Sequence, residues 1–173
     1  GESDVDYSAI TTDADNGTVT IYAQVNGMFF EESTMHAIVF QDGSQGDASM
    51  FAAFVDSQDF YDALVEVGAK TDDIKKEKIT KGQYITGQSV EITATWDGQD
   101  DPLTFADLVV CSDGKLKTDF VFGADKGNNA DAGSGCITCL DSCWAGIVSN
   151  KAYPFSHITG GSMATMLNKD LGL

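Results

Sequence analysis

The sequence contains no arginine, and its positive charge comes from ten lysines against 27 acidic residues, which gives a formal net charge of −17 at pH 7. Without arginine, the chain lacks the planar guanidinium group that forms bidentate hydrogen bonds with phosphate groups. It also lacks the basic stripe that is typical of nucleic-acid-binding surfaces. We therefore expect no nucleic-acid partner, and we expect anionic membrane surfaces to repel the chain.

Long apolar runs and histidines are also scarce. No run approaches the roughly 20 residues that a membrane-spanning helix needs. The only histidines are His36 and His157, and neither lies in a recognisable Ser-His-Asp or Cys-His motif. We predict no catalytic residues, and a binding protein is favoured over an enzyme.

The length of 173 residues predicts a single domain. Residues 1–17 are rich in aspartate and glutamate and predict a flexible acidic leader, which leaves 18–173 as the folded domain. Leaders of this kind often connect a membrane anchor to a folded domain. We therefore expect an exported protein of the cell envelope, anchored through an N-terminal lipid that is not part of this chain.

Hydrophobic periodicity predicts strands and one main helix. Apolar and polar residues alternate over 19–25 and 90–96, as in half-buried strands. Apolar residues at spacings of three and four predict a helix from about 58 to 67, with Asp56 as a candidate N-cap. The predicted fold class is α+β, with a mixed or mostly antiparallel sheet and the helix packed on one face.

Further along the chain, Phe120–Phe122 is a short strand candidate. The stretch 123–135 is rich in glycine, asparagine and aspartate and predicts a loop. Near the C-terminus, Met163, Met166 and Leu167 indicate a short helix.

Three of the four cysteines are clustered. Cys136, Cys139 and Cys143 form a C-x2-C-x3-C pattern, and Cys111 lies 25 positions upstream of the first of them. In an intact helix, the first and last would be separated by about 10 Å, too far for a disulfide or for one shared metal ion. A helical segment therefore allows one local pair, whereas a loop allows a metal ion or a cluster.

Three interpretations of the cysteines remain open. Structural disulfides agree with the even count and with export. A metal or iron–sulfur centre would use the three clustered cysteines with Cys111 as a fourth thiolate, or with His36 in a Cys3His set. A redox-active thiol pair is the third interpretation, and it requires a lowered thiol pKa.

The segment GCITCLDSCWAGIVSNKAY resembles the cysteine signature of the YdjY-domain family, and HAIVFQDGSQGDASMFAAFVDSQDFYDALVEVGAK resembles an earlier part of the same domain. The resemblance spans about residues 19–153. It implies a shared fold, and export or lipid anchoring in bacteria, with no established activity. The ferredoxin-like or metal-binding label of some members would fall on Cys136, Cys139, Cys143 and His36.

We thus expect an exported binding or accessory domain of unknown ligand, whose C-terminal cysteines are held by disulfides. The alternative is an electron-transfer protein that carries a metal ion or an iron–sulfur cluster on the C-x2-C-x3-C segment. In either case, the expected partner is a protein or a small molecule at the cell surface.

Overall fold

The computed structural model describes residues 5–173. Three α-helices are present in this range: α1 (Ser57–Glu66), α2 (Phe105–Leu108) and α3 (Lys126–Ala132). The strands are β1 (Thr11–Asp13), β2 (Thr18–Thr20), β3 (Ala23–Val25), β4 (His36–Phe40), β5 (Ser49–Ala53), β6 (Gln88–Val90), β7 (Thr93–Trp96), β8 (Gln99–Thr104), β9 (Val109–Cys111), β10 (Gly114–Lys115), β11 (Phe120–Phe122), β12 (Cys136–Cys139), β13 (Val148–Asn150) and β14 (Thr165–Leu167).

Seven strands form the main sheet, in the order β3-β5-β4-β12-β13-β11-β6. The pairs β4/β5 and β12/β13 are parallel, whereas the other four neighbouring pairs are antiparallel. Strand β12, which begins and ends at a cysteine, therefore lies at the centre of the sheet. The predicted α+β class with a mixed sheet is confirmed.

Smaller sheets complete the described part of the chain. Strands β10, β9 and β14 form a three-stranded antiparallel sheet, and β1/β2 and β7/β8 form two hairpins. The three-stranded sheet contains Cys111, at the end of β9. This cysteine is therefore in a different sheet from the three clustered ones.

Helix α1 forms where the apolar spacing predicts it. The Asp56 carboxylate caps the helix by accepting a hydrogen bond of 2.8 Å from the Gln58 N–H. Phe60 and Leu64 are buried on the face that meets the core, and the helix contacts β12 and α3. Gly68 follows the helix with φ of 96°, the left-handed conformation in which helices commonly end.

The largest core cluster is rich in aromatic rings. Phe105 packs edge-on against Phe51 and Phe120, with ring centroids 6.1 and 5.5 Å apart. Tyr61 of α1 meets Phe122 in the same way at 5.2 Å. Edge-to-face pairs of this kind add to the free energy gained by burying the rings. They join α1 and α2 to the two halves of the main sheet.

Several local predictions are wrong. The predicted loop 123–135 contains α3, whose N-cap is Asp125. The predicted short C-terminal helix is strand β14, which pairs with β9 over Thr165–Leu167. The cysteine segment, predicted as a helix or a loop, starts as β12. In each case a long-range strand or helix contact decides the structure.

Part of the predicted acidic leader forms a strand. Strand β1 falls inside the predicted leader and pairs with β2, while residues 1–4 lie outside the described part. The boundary at residue 18 stays a prediction. None of the helices in residues 5–173 has the length and apolar content that crossing a bilayer requires.

Candidate functional site: a buried thiol cluster

A break in strand register brings two cysteine thiols together. In a regular strand, residues three positions apart point to opposite faces of the sheet. Between β12 and β4, however, Cys136 pairs with Val39 and Cys139 pairs with His36 through two register shifts. These shifts leave one extra residue in each strand, as in a β-bulge. The Sγ atoms of Cys136 and Cys139 lie 2.9 Å apart as a result.

Gly146 provides the space for this pair of sulfur atoms. A Cβ atom at this position would lie 2.4 Å from the Sγ of Cys139 and 3.2 Å from that of Cys136. Its backbone φ lies outside the left-handed region, so the position does not need glycine for its conformation. Glycine is needed because the sulfur atoms occupy the volume of a side chain.

Cys143 approaches the same pair from the turn that follows β12. Its Sγ accepts a hydrogen bond of 3.3 Å from the Ala145 N–H, and its thiol lies near enough to that of Cys139 for each to shift the pKa of the other. Cys139 therefore interacts with both other thiols of the cluster. Cys136 and Cys139 are buried, whereas Cys143 is half-buried. We refer to Cys136, Cys139 and Cys143 as the thiol cluster.

Neighbouring thiols and burial keep Cys139 and Cys143 protonated. The neighbouring Cys136 thiol, followed by burial, raises the pKa of Cys139 well above its ordinary value. For Cys143, the neighbouring Cys139 thiol and then burial raise the pKa in the same direction. Two thiolates in contact would repel each other in a medium of low dielectric constant. Without a bound cation, both thiols are therefore neutral at pH 7.

Asn129 of α3 fixes the two ends of the cysteine turn. Its side chain is only 2% exposed, and its Nδ2 donates hydrogen bonds to the carbonyl oxygens of Cys136 (3.0 Å) and Ala145 (2.7 Å). Its Oδ1 accepts hydrogen bonds from Ser57 and Gln58 at the start of α1. One buried amide thus connects the thiol cluster to two helices.

Ser142 connects the turn to more distant parts of the chain. Its hydroxyl donates a hydrogen bond of 2.7 Å to the Tyr153 carbonyl and accepts one of 3.0 Å from the Ile85 N–H. Its own N–H donates to the same Tyr153 carbonyl at 3.1 Å. The segment between β12 and β13 is therefore held by buried hydrogen bonds.

Asp141 is a buried carboxylate in the same turn. Its Oδ2 accepts hydrogen bonds from the N–H groups of Ile158 (2.9 Å) and Thr159 (3.2 Å). Burial raises the pKa of Asp141, and its charge contributes to the raised pKa values of Cys139 and Cys143. The turn therefore presents sulfur ligands beside a negative charge, an environment that favours a cation.

His36 lies on strand β4, directly beside Cys139 of the cluster. It is the ladder partner of Cys139, and burial lowers the pKa of its half-buried imidazole. The imidazole is thus neutral at pH 7, the form in which histidine binds metals. The structure places His36 on the strand beside the cluster, where its imidazole makes no hydrogen bond to a thiol.

Cys111 does not join the cluster. It lies in the three-stranded sheet, and its pKa is raised to about 11 by burial and by the charge of Asp113. The thiol cluster does not contribute to that shift. The predicted role of Cys111 as a fourth thiolate therefore has no support from its position.

The disulfides predicted for the segment are not formed. All four cysteines are free, and 2.9 Å between Cys136 and Cys139 exceeds the roughly 2.05 Å of an S–S bond. Hydrogen bonds from Asn129 and Ser142 hold the turn instead. Over residues 5–173, no group of three or more Cys, His, Asp or Glu side chains is already arranged to hold a metal ion.

Three residues of the site were missed or misinterpreted by sequence reasoning. The role of Gly146 depends on two sulfur atoms that only the fold brings near it. Asn129 sits in the stretch predicted as a loop, and Asp141 was not among the candidate site residues. The sequence carries no local signal for the long-range hydrogen bonds of either residue.

Comparison with known proteins identifies the class to which this fold and its thiol cluster belong. The family model for the YdjY domain matches residues 10–171, so the chain belongs to the YdjY family. It is 36% identical over 149 residues to the "Uncharacterized protein YdjY" of Escherichia coli (strain K12). The match covers 86% of this chain and 66% of that relative, just under two thirds of its length. Comparison with solved structures finds no significant match.

Replacement of Gly146 by alanine tests the sulfur packing. We expect Gly146→Ala to lower the free energy of unfolding by about 1–3 kcal/mol, because the new methyl group overlaps the Cys139 sulfur. Chemical denaturation of the reduced protein measures this effect. The control is Gly27→Ala, which has no atom within 4 Å of the added carbon and should change stability by less than about 0.5 kcal/mol.

Removing the sulfur should relieve the overlap. In a double-mutant cycle, Gly146→Ala combined with Cys139→Ala should be more stable than the sum of the single changes predicts, by about 1 kcal/mol or more. Strict additivity of the two changes would show that the glycine does not accommodate the sulfur pair.

Proposed function

We propose that the protein is a non-enzymatic binding module whose thiol cluster takes up a soft metal ion. The contact between the Cys136 and Cys139 sulfur atoms carries this proposal. Two sulfur ligands from one strand already face the same point, and Cys143 supplies a third from the adjoining turn. Polarisable sulfur favours soft ions, such as Cu(I), over hard ions such as Mg²⁺.

The number of nearby sulfur ligands favours Cu(I) in particular. Structural zinc sites are usually four-coordinate, and iron–sulfur clusters usually take four cysteines. The fourth cysteine, Cys111, lies in another sheet. A monovalent ion that is satisfied by two or three thiolates fits the arrangement better. Rotation of the half-buried Cys143 side chain would bring the third sulfur to an ion held by the other two.

The electrostatics of the turn support a cation. Asp141 places a negative charge near the cluster, and the whole chain carries a formal charge of −17. A bound cation would offset the repulsion that keeps the thiols protonated.

Two other chemistries have less support. The raised pKa values of Cys139 and Cys143 disfavour thiol catalysis at neutral pH, because thiolates are the reactive form. A zinc site of the Cys3His type would require the His36 side chain on β4 to rotate toward the Cys139 thiol on the neighbouring strand. Export, lipid anchoring and a partner at the cell surface stay predictions from the sequence.

A copper titration tests the proposed function. Reduced protein, titrated without oxygen in competition with a chromophoric Cu(I) chelator, should bind the ion at an equimolar ratio. Cys136→Ser and Cys139→Ser should each weaken binding by about 100-fold or more, because each removes a ligand from a site with few ligands. Cys111→Ser is the matched control and should bind like the parent. Equal affinity of the parent and the Cys139→Ser variant would contradict the proposal.

The affinity for Cu(I) should also depend on pH. Cys139 and Cys143 bind the ion as thiolates, and their pKa values lie above the ordinary value in the metal-free protein. Each thiol therefore releases a proton on binding, so affinity rises as pH rises. If two protons are released, the dissociation constant should fall about 100-fold per pH unit between pH 6 and 8. An affinity that is constant over this interval would show that the thiols are not the ligands.

A further inference from the structure

The Cys136–Cys139 pair is arranged for a covalent change as well as for ligand binding. Closing the present gap of 2.9 Å to an S–S bond requires the two sulfur atoms to approach by about 0.9 Å. Both atoms lie against Gly146, which has no side chain to obstruct their movement. The pair can therefore be joined by small side-chain rotations, while the hydrogen bonds of the turn stay in place.

The three thiols of the cluster differ in their exposure to solvent. Cys136 and Cys139 are 5% and 9% exposed, so a dissolved oxidant does not reach them directly. Cys143 is half-buried, and the Cys139 thiol is the neighbour that shifts its pKa most. A reagent from solution thus meets Cys143 first, and Cys139 is the thiol positioned to react next.

We propose that Cys136 and Cys139 form a reversible redox modification site, which small-molecule disulfides oxidise through Cys143. The site is a second property of the thiol cluster and does not require a metal. Its consequence for metal binding, that a Cys136–Cys139 disulfide removes two ligands and blocks Cu(I), rests on the proposed function.

The reaction consists of three thiol–disulfide exchanges, each of which starts from the thiolate form of the attacking cysteine. Because the pKa values of Cys139 and Cys143 are raised, we expect a slow modification at neutral pH that becomes faster as the pH rises, in contrast to the turnover of a thiol enzyme. Cys143 attacks a disulfide RSSR, which gives a Cys143–SR mixed disulfide and releases RSH with the Cys143 proton. Cys139 then attacks the Cys143 sulfur, releases the second RSH and forms a Cys139–Cys143 disulfide. Finally, Cys136 attacks the Cys139 sulfur, and its proton returns Cys143 to the thiol. In total, two protein thiols are oxidised to one disulfide while RSSR is reduced to two RSH.

Oxidised glutathione is the probe for this reaction. Reduced, metal-free protein is incubated with it, samples are quenched with one alkylating reagent, reduced, and labelled with a second reagent of different mass. Mass spectrometry of the peptides then shows which cysteines were oxidised. We expect the second label on Cys136 and Cys139, and the first label on Cys143 and Cys111. A final bond that includes Cys111 would overturn the proposal.

Variants separate the order of the steps. Cys143→Ser, with Cys143→Ala as a second version, should slow oxidation of the buried pair by more than about 10-fold, since the accessible thiol is lost. Cys139→Ser should trap glutathione on Cys143, because the thiol that displaces it is missing. Cys111→Ser should oxidise at the parent rate. Oxidation of the Cys143→Ser variant at the parent rate would overturn the route through Cys143.

The two proposals fail separately. If labelling gives the expected pattern but the reduced protein binds no Cu(I), only the proposed function is wrong. If Cu(I) binds at the thiol cluster but oxidised glutathione leaves Cys136 and Cys139 reduced, only the redox site is wrong. Oxidised protein that recovers Cu(I) binding after reduction would support both proposals.

Discussion

The contact between the sulfur atoms of Cys136 and Cys139 is the constraint on which the candidate site depends. It exists because the ladder between β12 and β4 is broken twice, which places two thiols from one strand on the same side of the sheet. A regular strand would point them to opposite faces. Gly146 leaves the volume that they fill, and Cys143 approaches from the turn that follows.

Buried polar contacts hold this arrangement in place of covalent bonds. Asn129 and Ser142 each bridge segments that are distant in sequence, and the Asp141 carboxylate accepts backbone N–H groups from the segment at 158–159. Across residues 5–173, no buried side-chain nitrogen or oxygen lacks a hydrogen-bond partner. Such satisfied networks fix a unique geometry, whereas a partly satisfied one would destabilise the fold. The thiols can thus stay reduced without loosening the turn.

The sequence alone predicts those elements whose conformation is determined by residues nearby in the chain. The helix near 58–67 follows from apolar spacing, a capping aspartate and a terminal glycine, and the structure has it at Ser57–Glu66. The cysteine segment was ambiguous because its conformation depends on β4, about 100 residues earlier in the chain. Likewise, the network that holds α3 and the strand partner that fixes β14 lie far away in sequence. The C-x2-C-x3-C spacing singles out three cysteines in the sequence, whereas the placement of Cys111 in another sheet depends on strand pairing that the sequence does not show.

The central claim is that the clustered thiols act together as one soft ligand set. X-ray absorption at the copper edge of the reduced, Cu(I)-loaded protein tests it most directly, since the spectrum reports the elements bonded to the ion. A first coordination shell made of sulfur in the parent, and lost in the Cys136→Ser and Cys139→Ser variants, is the expected result. A shell of nitrogen or oxygen in fully reduced protein would contradict the account.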